Sequence, residues 1–204
     1  MSQQGVARSV RLFRLFLREQ SSSHQFYSNL ARDAVSQVAA YGEMAGKTVV
    51  DVGGGPGYFT AAFRAAGAEC YLFEPHRDAL LCNGAAPEGA VLADGYWLPV
   101  RDGCADICFS SNALEHVADP IGLIGEMVRV TRPGGLVYLS FTIGSTLYPL
   151  HIGTVLRLVR SVRGAEIVDA LPRYYPSWCR FVVRIPWLRE VLTWNLLLVL
   201  RRTE

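Results

Sequence analysis

The stretch Val49-Val50-Asp51-Val52-Gly53-Gly54-Gly55-Pro56-Gly57-Tyr58-Phe59-Thr60 constrains the fold more than any other part of the chain. A short apolar run passes into a cluster of glycines and then into residues of helical composition. Glycine turns the backbone sharply and lets it approach a ligand with no Cβ in the way. A helix that starts after such a turn offers free N–H groups and partial positive charge to a carboxylate or phosphate. This segment therefore predicts a buried strand, a tight turn with a ligand-binding edge, and a helix.

The rest of the chain continues that alternation. Strands are predicted at Lys47–Val52, Glu69–Glu74, Val91–Ala93, Ala105–Ser110, Leu136–Thr142, near Glu166–Leu171 and near Trp194–Arg201. Helices are predicted at Tyr58–Ala66 with Gly67 as its C-cap, at Arg77–Cys82, at Pro120–Thr131 stopped by Pro133-Gly134-Gly135, and around Leu150–Val162. Strands separated by helices at this spacing imply βαβ units and a sheet whose ligands sit at the strand carboxyl ends. The expected fold is α/β: Rossmann-like, with a seven-stranded, mostly parallel sheet and helices on both faces. One domain over 1–204 is expected, with a helical cap at 1–45 and the core at 46–204.

A length of 204 residues with half of them apolar supports a full core, and a net charge of +2 does not call for nucleic acid. Five cysteines (Cys70, Cys82, Cys104, Cys108 and Cys179) form no disulfide or zinc framework and point to a reducing compartment, hence a cytoplasmic location. Pro133–Leu156 lacks charge but is interrupted by glycines and Pro149, and Val191–Leu200 is too short to span a bilayer, so no transmembrane helix and no secretory signal are expected. A first helix is expected over Val6–Gln20 and a second from about Phe26 to Tyr41. At 100° per residue Val6, Val10, Phe13 and Leu17 share one face of the first helix, and Arg8, Arg11, Arg14 and Arg18 another. Such a helix suits peripheral contact with an anionic membrane through residues 6–20. The plainer reading makes it a cap over the cofactor cleft with its arginines in water.

The glycine spacing separates ligand classes. A dinucleotide fingerprint G-x-G-x-x-G needs glycine at position 58, where the chain has Tyr58. The glycines instead run Gly53-x-Gly55-x-Gly57, with Asp51 two residues before the first, and an acid there suits a cationic amine. From about Thr48 to Phe141 the chain resembles the class I S-adenosyl-L-methionine (SAM)-dependent methyltransferases, particularly the small-molecule type 11 group with its D-x-G-x-G-x-G loop. The resemblance implies SAM as cofactor, gripped by the loop. It puts Glu74 on the ribose hydroxyls, and Asp94 with Gly95 near the adenine amino group. Phe109–Val117, with Asn112, flanks the methionine part in that comparison, and Arg132–Leu136 matches the turn before the fifth strand. Carboxylates suit hydroxyl and amino donors because they accept charge-assisted hydrogen bonds.

Methyl transfer from a sulfonium depends chiefly on aligning acceptor and methyl, so no obvious catalytic group is required. His116 is the candidate general base, against a plain scaffold role. Some relatives hold a divalent metal with E-x-x-E-H; here Asn112 replaces the first glutamate ahead of Glu115-His116, so no metal is expected. A small-molecule or lipid acceptor is expected under the C-terminal third, where Tyr148, His151, Tyr174, Tyr175, Trp178 and Trp187 interleave with Arg173, Arg180 and Arg184. Ordinary packing explains the same residues equally. Competing readings are an NAD-dependent oxidoreductase, a non-catalytic SAM-fold protein at a membrane surface, and RNA modification.

Overall fold

The apolar runs bounded by glycine become strands of one sheet in a computed structural model that describes residues 6–17, 23–142, 151–173, 175, 179, 181–188 and 195–204. Two helices come first, α1 (Val6–Phe16) and α2 (Ser23–Val38). They are followed by β1 (Thr48–Val52), α3 (Tyr58–Ala65), β2 (Glu69–Glu74), α4 (Arg77–Leu81), β3 (Val91–Leu92) and β4 (Ala105–Ser111). The chain continues through α5 (Pro120–Val130), β5 (Thr131–Thr142), α6 (Ile152–Ser161), β6 (Ala165–Pro172), α7 (Phe181–Arg184) and β7 (Asn195–Arg202).

The strand order is β3-β2-β1-β4-β5-β7-β6. Neighbours from β3 to β5 pair in parallel, whereas β7 runs antiparallel to both β5 and β6. The expected seven-stranded, mostly parallel sheet is thus the observed one. Its strands are apolar on both faces because both are covered. Val50, Cys108, Leu196, Leu198 and Leu200 face one core with α5 and α6. Val49, Ile107, Phe109, Leu197 and Val199 face the other with α1, α2 and α3.

Two expectations are corrected. Helix α5 ends at Val130, and Thr131 already pairs with Ala105, so Pro133-Gly134-Gly135 forms an irregularity inside β5 rather than the helix stop. The helix can end early because Arg202 donates to the carbonyls of Arg129 and Thr131 at 2.7 Å, and Thr131 Oγ1 to that of Met127 at 2.7 Å. Helix α1 is also turned differently from the capping arrangement expected. Arg8 points inward, its Nε donating to buried Asp33 of α2 at 2.7 Å, and Leu12 is the buried contact. Val6, Val10, Phe13 and Leu17 face solvent instead. The pairing of Arg8 with a buried acid and the burial of Leu12 lie on the same side of the helix, and together they set which face turns inward. Residue 18, the fourth arginine of the predicted stripe, lies outside the described residues, as do the predicted positions Leu150 and Trp194.

Candidate functional site

Strand β1 delivers the glycine turn to the carboxyl edge of the sheet. Gly53, Gly55 and Gly57 adopt φ of +69°, +52° and +82°, which only glycine takes without strain. Gly54 needs its missing side chain for another reason: a Cβ there would stand 2.2 Å from Leu72 Cδ1 and 2.6 Å from Asp51 Oδ2.

Asp51 is 0% exposed and lies beneath this turn rather than on the cleft wall. Its Oδ2 accepts from Thr60 Oγ1 at 2.7 Å, and Oδ1 has no hydrogen-bond partner among the described residues. Burial pushes its carboxyl up to about 7; the Thr60 hydrogen bonds offset part of that shift, and the neighbouring Glu74 charge adds to it. Glu74, buried at the end of β2, braces the turn from the side. Its Oε2 accepts from the Gly55 N–H and its Oε1 from the His76 N–H, each at 3.0 Å. A carboxylate has about four acceptor positions, so two remain. Asp94 is exposed after β3, with Oδ1 accepting from the Tyr96 N–H at 2.9 Å. Gly95 leaves its Cβ space to Leu123 and Val52.

Beyond β4 the chain reaches Asn112, whose φ of +57° is the one positive value among described non-glycine residues. Its N–H donates to the Ser140 carbonyl at 2.7 Å, while its buried Oδ1 has no partner among the described residues. Glu115 is buried, its carboxyl raised by that burial, and one oxygen accepts from the Thr142 N–H. It is therefore tied to the scaffold, whereas His116 is exposed and lines the cleft. Among the described residues no group of three or more His, Cys, Asp or Glu could hold a metal ion.

The cleft is a cavity of about 480 Å³ lined by the turn Gly53–Pro56, Tyr58, Phe59, Ser111, Asn112 and His116. Ser23 and Tyr27 of α2 and Cys82 and Asn83 after α4 complete it. That size falls in the usual range for small-ligand sites. Sequence reasoning missed these last four residues, because the packing of α2 and of the segment after α4 around the glycine turn has no local signature. Tyr58, read only as a glycine's replacement, stacks on Tyr27 with centroids 5.8 Å apart and meets Asn83 through its hydroxyl.

Of the C-terminal aromatic and basic cluster, Tyr148, Tyr174, Trp178 and Arg180 lie outside the described residues. Trp187 and Arg184 are exposed and do not line the cavity. Arg173 is only 1% exposed. Its Nη1 donates to Ser111 Oγ at 3.1 Å and to Ser140 Oγ, and its guanidinium carbon is 5.9 Å from the Phe59 ring centroid. A buried cation thus sits behind two cavity-wall residues.

Asp94 follows β3, Glu74 ends β2, the glycine turn follows β1 and Asn112 follows β4, and these four strands are adjacent in the sheet. At about 4.8 Å per strand this row spans about 14 Å. It offers acceptors at both ends and close-approach backbone between them. An orphaned Asn112 oxygen and open space at Gly55 fit an elongated cationic ligand such as SAM.

Comparison with known proteins identifies the family. A family model described as "Methyltransferase domain" matches residues 50–139. An uncharacterized methyltransferase of Mycolicibacterium vanbaalenii is 40% identical, with 96% of this chain and 94% of that protein covered. One from Mycobacterium avium is 39% identical over 96% and 95% of the two chains. The first match runs over 244 positions, more than the 204 residues here, so that relative carries residues with no counterpart in this chain. Among solved structures, a SAM-dependent methyltransferase from Mesorhizobium loti superposes with a TM-score of 0.61 at 20% identity, covering 78% of this chain and 93% of that one.

Proposed function

The chain belongs to the class I SAM-dependent methyltransferases, and on that premise we propose that it methylates a small or amphiphilic acceptor that enters beside His116. The observation that carries this reading is the row of acceptor groups and glycine backbone across four adjacent strand ends, of which the Gly53–Pro56 turn and Asn112 line the cavity while Glu74 and Asp94 stand beside it. SAM, when bound, supplies a methyl group on a cationic sulfur that leaves readily. Glu74 and Asp94 hold the nucleoside end through hydroxyl and amino donors. The N-terminus of α3, at Tyr58 and Phe59, receives the carboxylate, as helix N-termini receive anions. Asn112 Oδ1 accepts from the amino group. Gly53 and Gly57 keep the backbone close enough for these contacts, with Gly95 packing the third loop.

Asp51 acts through the turn. Its carboxyl lies under Gly54 and, when ionised, favours a cation above it without touching it. Alignment in the cavity supplies most of the rate, and His116 takes the acceptor's proton when the acceptor must lose one. Residues 1–204 are read as one domain, with the 1–45 helices walling the cleft through Ser23 and Tyr27.

Calorimetric titration with SAM and with its demethylated product tests this reading. Binding of both is expected, with affinity falling about 10- to 100-fold in Glu74→Ala, the loss of one hydrogen bond to a charged group. The fall is expected to be smaller in Asp51→Ala. Undiminished affinity in Glu74→Ala, or no SAM binding by the unaltered protein, would overturn it.

A further inference from the structure

We propose that α1 docks on an anionic lipid surface and so brings the mouth of the cavity to an amphiphilic acceptor held there. The acceptor half of this inference rests on the methyl-transfer reading above; the docking half does not.

The helix is attached to the fold by one side only. Leu12 is buried against α2, Arg8 is paired with Asp33, and Phe16 meets Phe26 edge-on at 6.3 Å between centroids. The side away from α2 carries Val6, Val10, Phe13 and Leu17, spaced for a single stripe, and these are between 42% and 67% exposed. An open groove of about 420 Å³ runs beside the stripe, lined by Val6, Ala7, Val10 and Leu15 with Arg11 and Arg14. At 100° per residue Arg14 stands about 40° from Val10, so cationic heads flank apolar side chains along the helix. Both arginines are exposed, and the helix has no acidic residue. Apolar side chains for the acyl boundary beside guanidinium groups for phosphate heads is the arrangement that lies in a bilayer interface.

A second copy of the chain fits less well. Four partly exposed side chains fall far short of the roughly 800 Å² per partner that a stable protein interface buries, and two copies would oppose like charges. The position of the helix gives the docking a purpose. It packs on α2, whose first turns supply Ser23 and Tyr27 to the cavity wall. A bilayer under α1 would therefore lie close to the acceptor entrance.

The test uses the full chain, sedimented with vesicles of phosphatidylcholine alone or of phosphatidylcholine and phosphatidylglycerol, beside a SAM titration and a thermal melt of each preparation. Binding to the anionic vesicles, lost in high salt and weakened about tenfold or more by Phe13→Glu, is expected. That variant should keep SAM affinity, melting temperature and monomeric state, because Phe13 touches neither the cavity nor the core. Arg14→Glu should weaken vesicle binding with the same controls unchanged. Absence of vesicle binding, binding indifferent to both variants, or a dimer that Phe13→Glu dissociates would each overturn the docking. Vesicle binding by a protein that takes up no SAM would uphold the docking and overturn the acceptor assignment.

Discussion

Thr60 Oγ1 donates to Asp51 Oδ2 at 2.7 Å directly under Gly54, so a buried carboxylate is joined to the first turn of α3 and to the floor of the glycine loop at once. Burial raises its carboxyl from 3.8 to about 7. The folded chain then holds a proton that the unfolded chain has released between those values. The contribution of Asp51 to stability is therefore fully present below the unfolded value and declines as pH rises toward 7, opposite in sign to that of Asp106 and Glu126, whose carboxyls are lowered. Denaturant titrations across that range should show the stability of the unaltered protein falling relative to that of Asp51→Asn as pH rises; a constant difference between the two would remove Asp51 as the cause. A cation entering the cavity should also drive off this proton. Calorimetry of SAM binding near neutral pH in buffers of different ionisation enthalpy should detect its release, and detect none in Asp51→Asn.

Neighbouring glycines are expected to respond differently to the same change. Gly54→Ala drives a methyl into Leu72 and Asp51 and should cost about 3 kcal/mol. Gly55→Ala meets nothing within 4 Å and carries only the strain of its positive φ, about 1 kcal/mol. Denaturation midpoints of the two variants would separate them, and equal shifts would count against the turn geometry on which the binding assignments depend.

Arg8 is tied to Asp33, whose side chain is 4% exposed. Removing the guanidinium in Arg8→Ala leaves a buried carboxylate short of its main partner, with an expected loss of about 3 kcal/mol. Asp33→Asn added to Arg8→Ala should recover part of it, and a double-mutant cycle measures the coupling. Independent, additive losses would show that the pair does not anchor α1.

His116 stands at the cavity edge on an exposed turn, clear of both cores. His116→Ala is expected to leave SAM affinity intact and to lower turnover about 100-fold for an acceptor that must lose a proton. Once an acceptor is found, full turnover in this variant would dismiss the histidine as a base.

Strand positions were legible because buried parallel strands are short apolar runs punctuated by glycine; β2 begins and ends where the sequence indicates. The direction of β7 was not legible, since apolar runs carry no sense of orientation. Helical periodicity grouped Val6, Val10, Phe13 and Leu17 on one face, but which face turns inward was decided by Asp33, a residue far along the chain. The acid before the glycines was visible, yet its carboxylate is beneath the turn because Thr60 and Leu72 surround it there. Gly54, read as a spacer, proved the glycine with least room. Tyr27 and Asn83 reach the cavity only through packing between elements distant in sequence, and pattern reading cannot see that.

The position of β7 between β5 and β6 has a consequence for biosynthesis. Until this strand is available, β5 and β6 each present an unpaired edge to their surroundings, and neither can satisfy the other. Completion of that half of the sheet therefore waits on residues 195–202. A nascent chain stalled before Asn195 would be an invitation to aggregation and a natural client for chaperones.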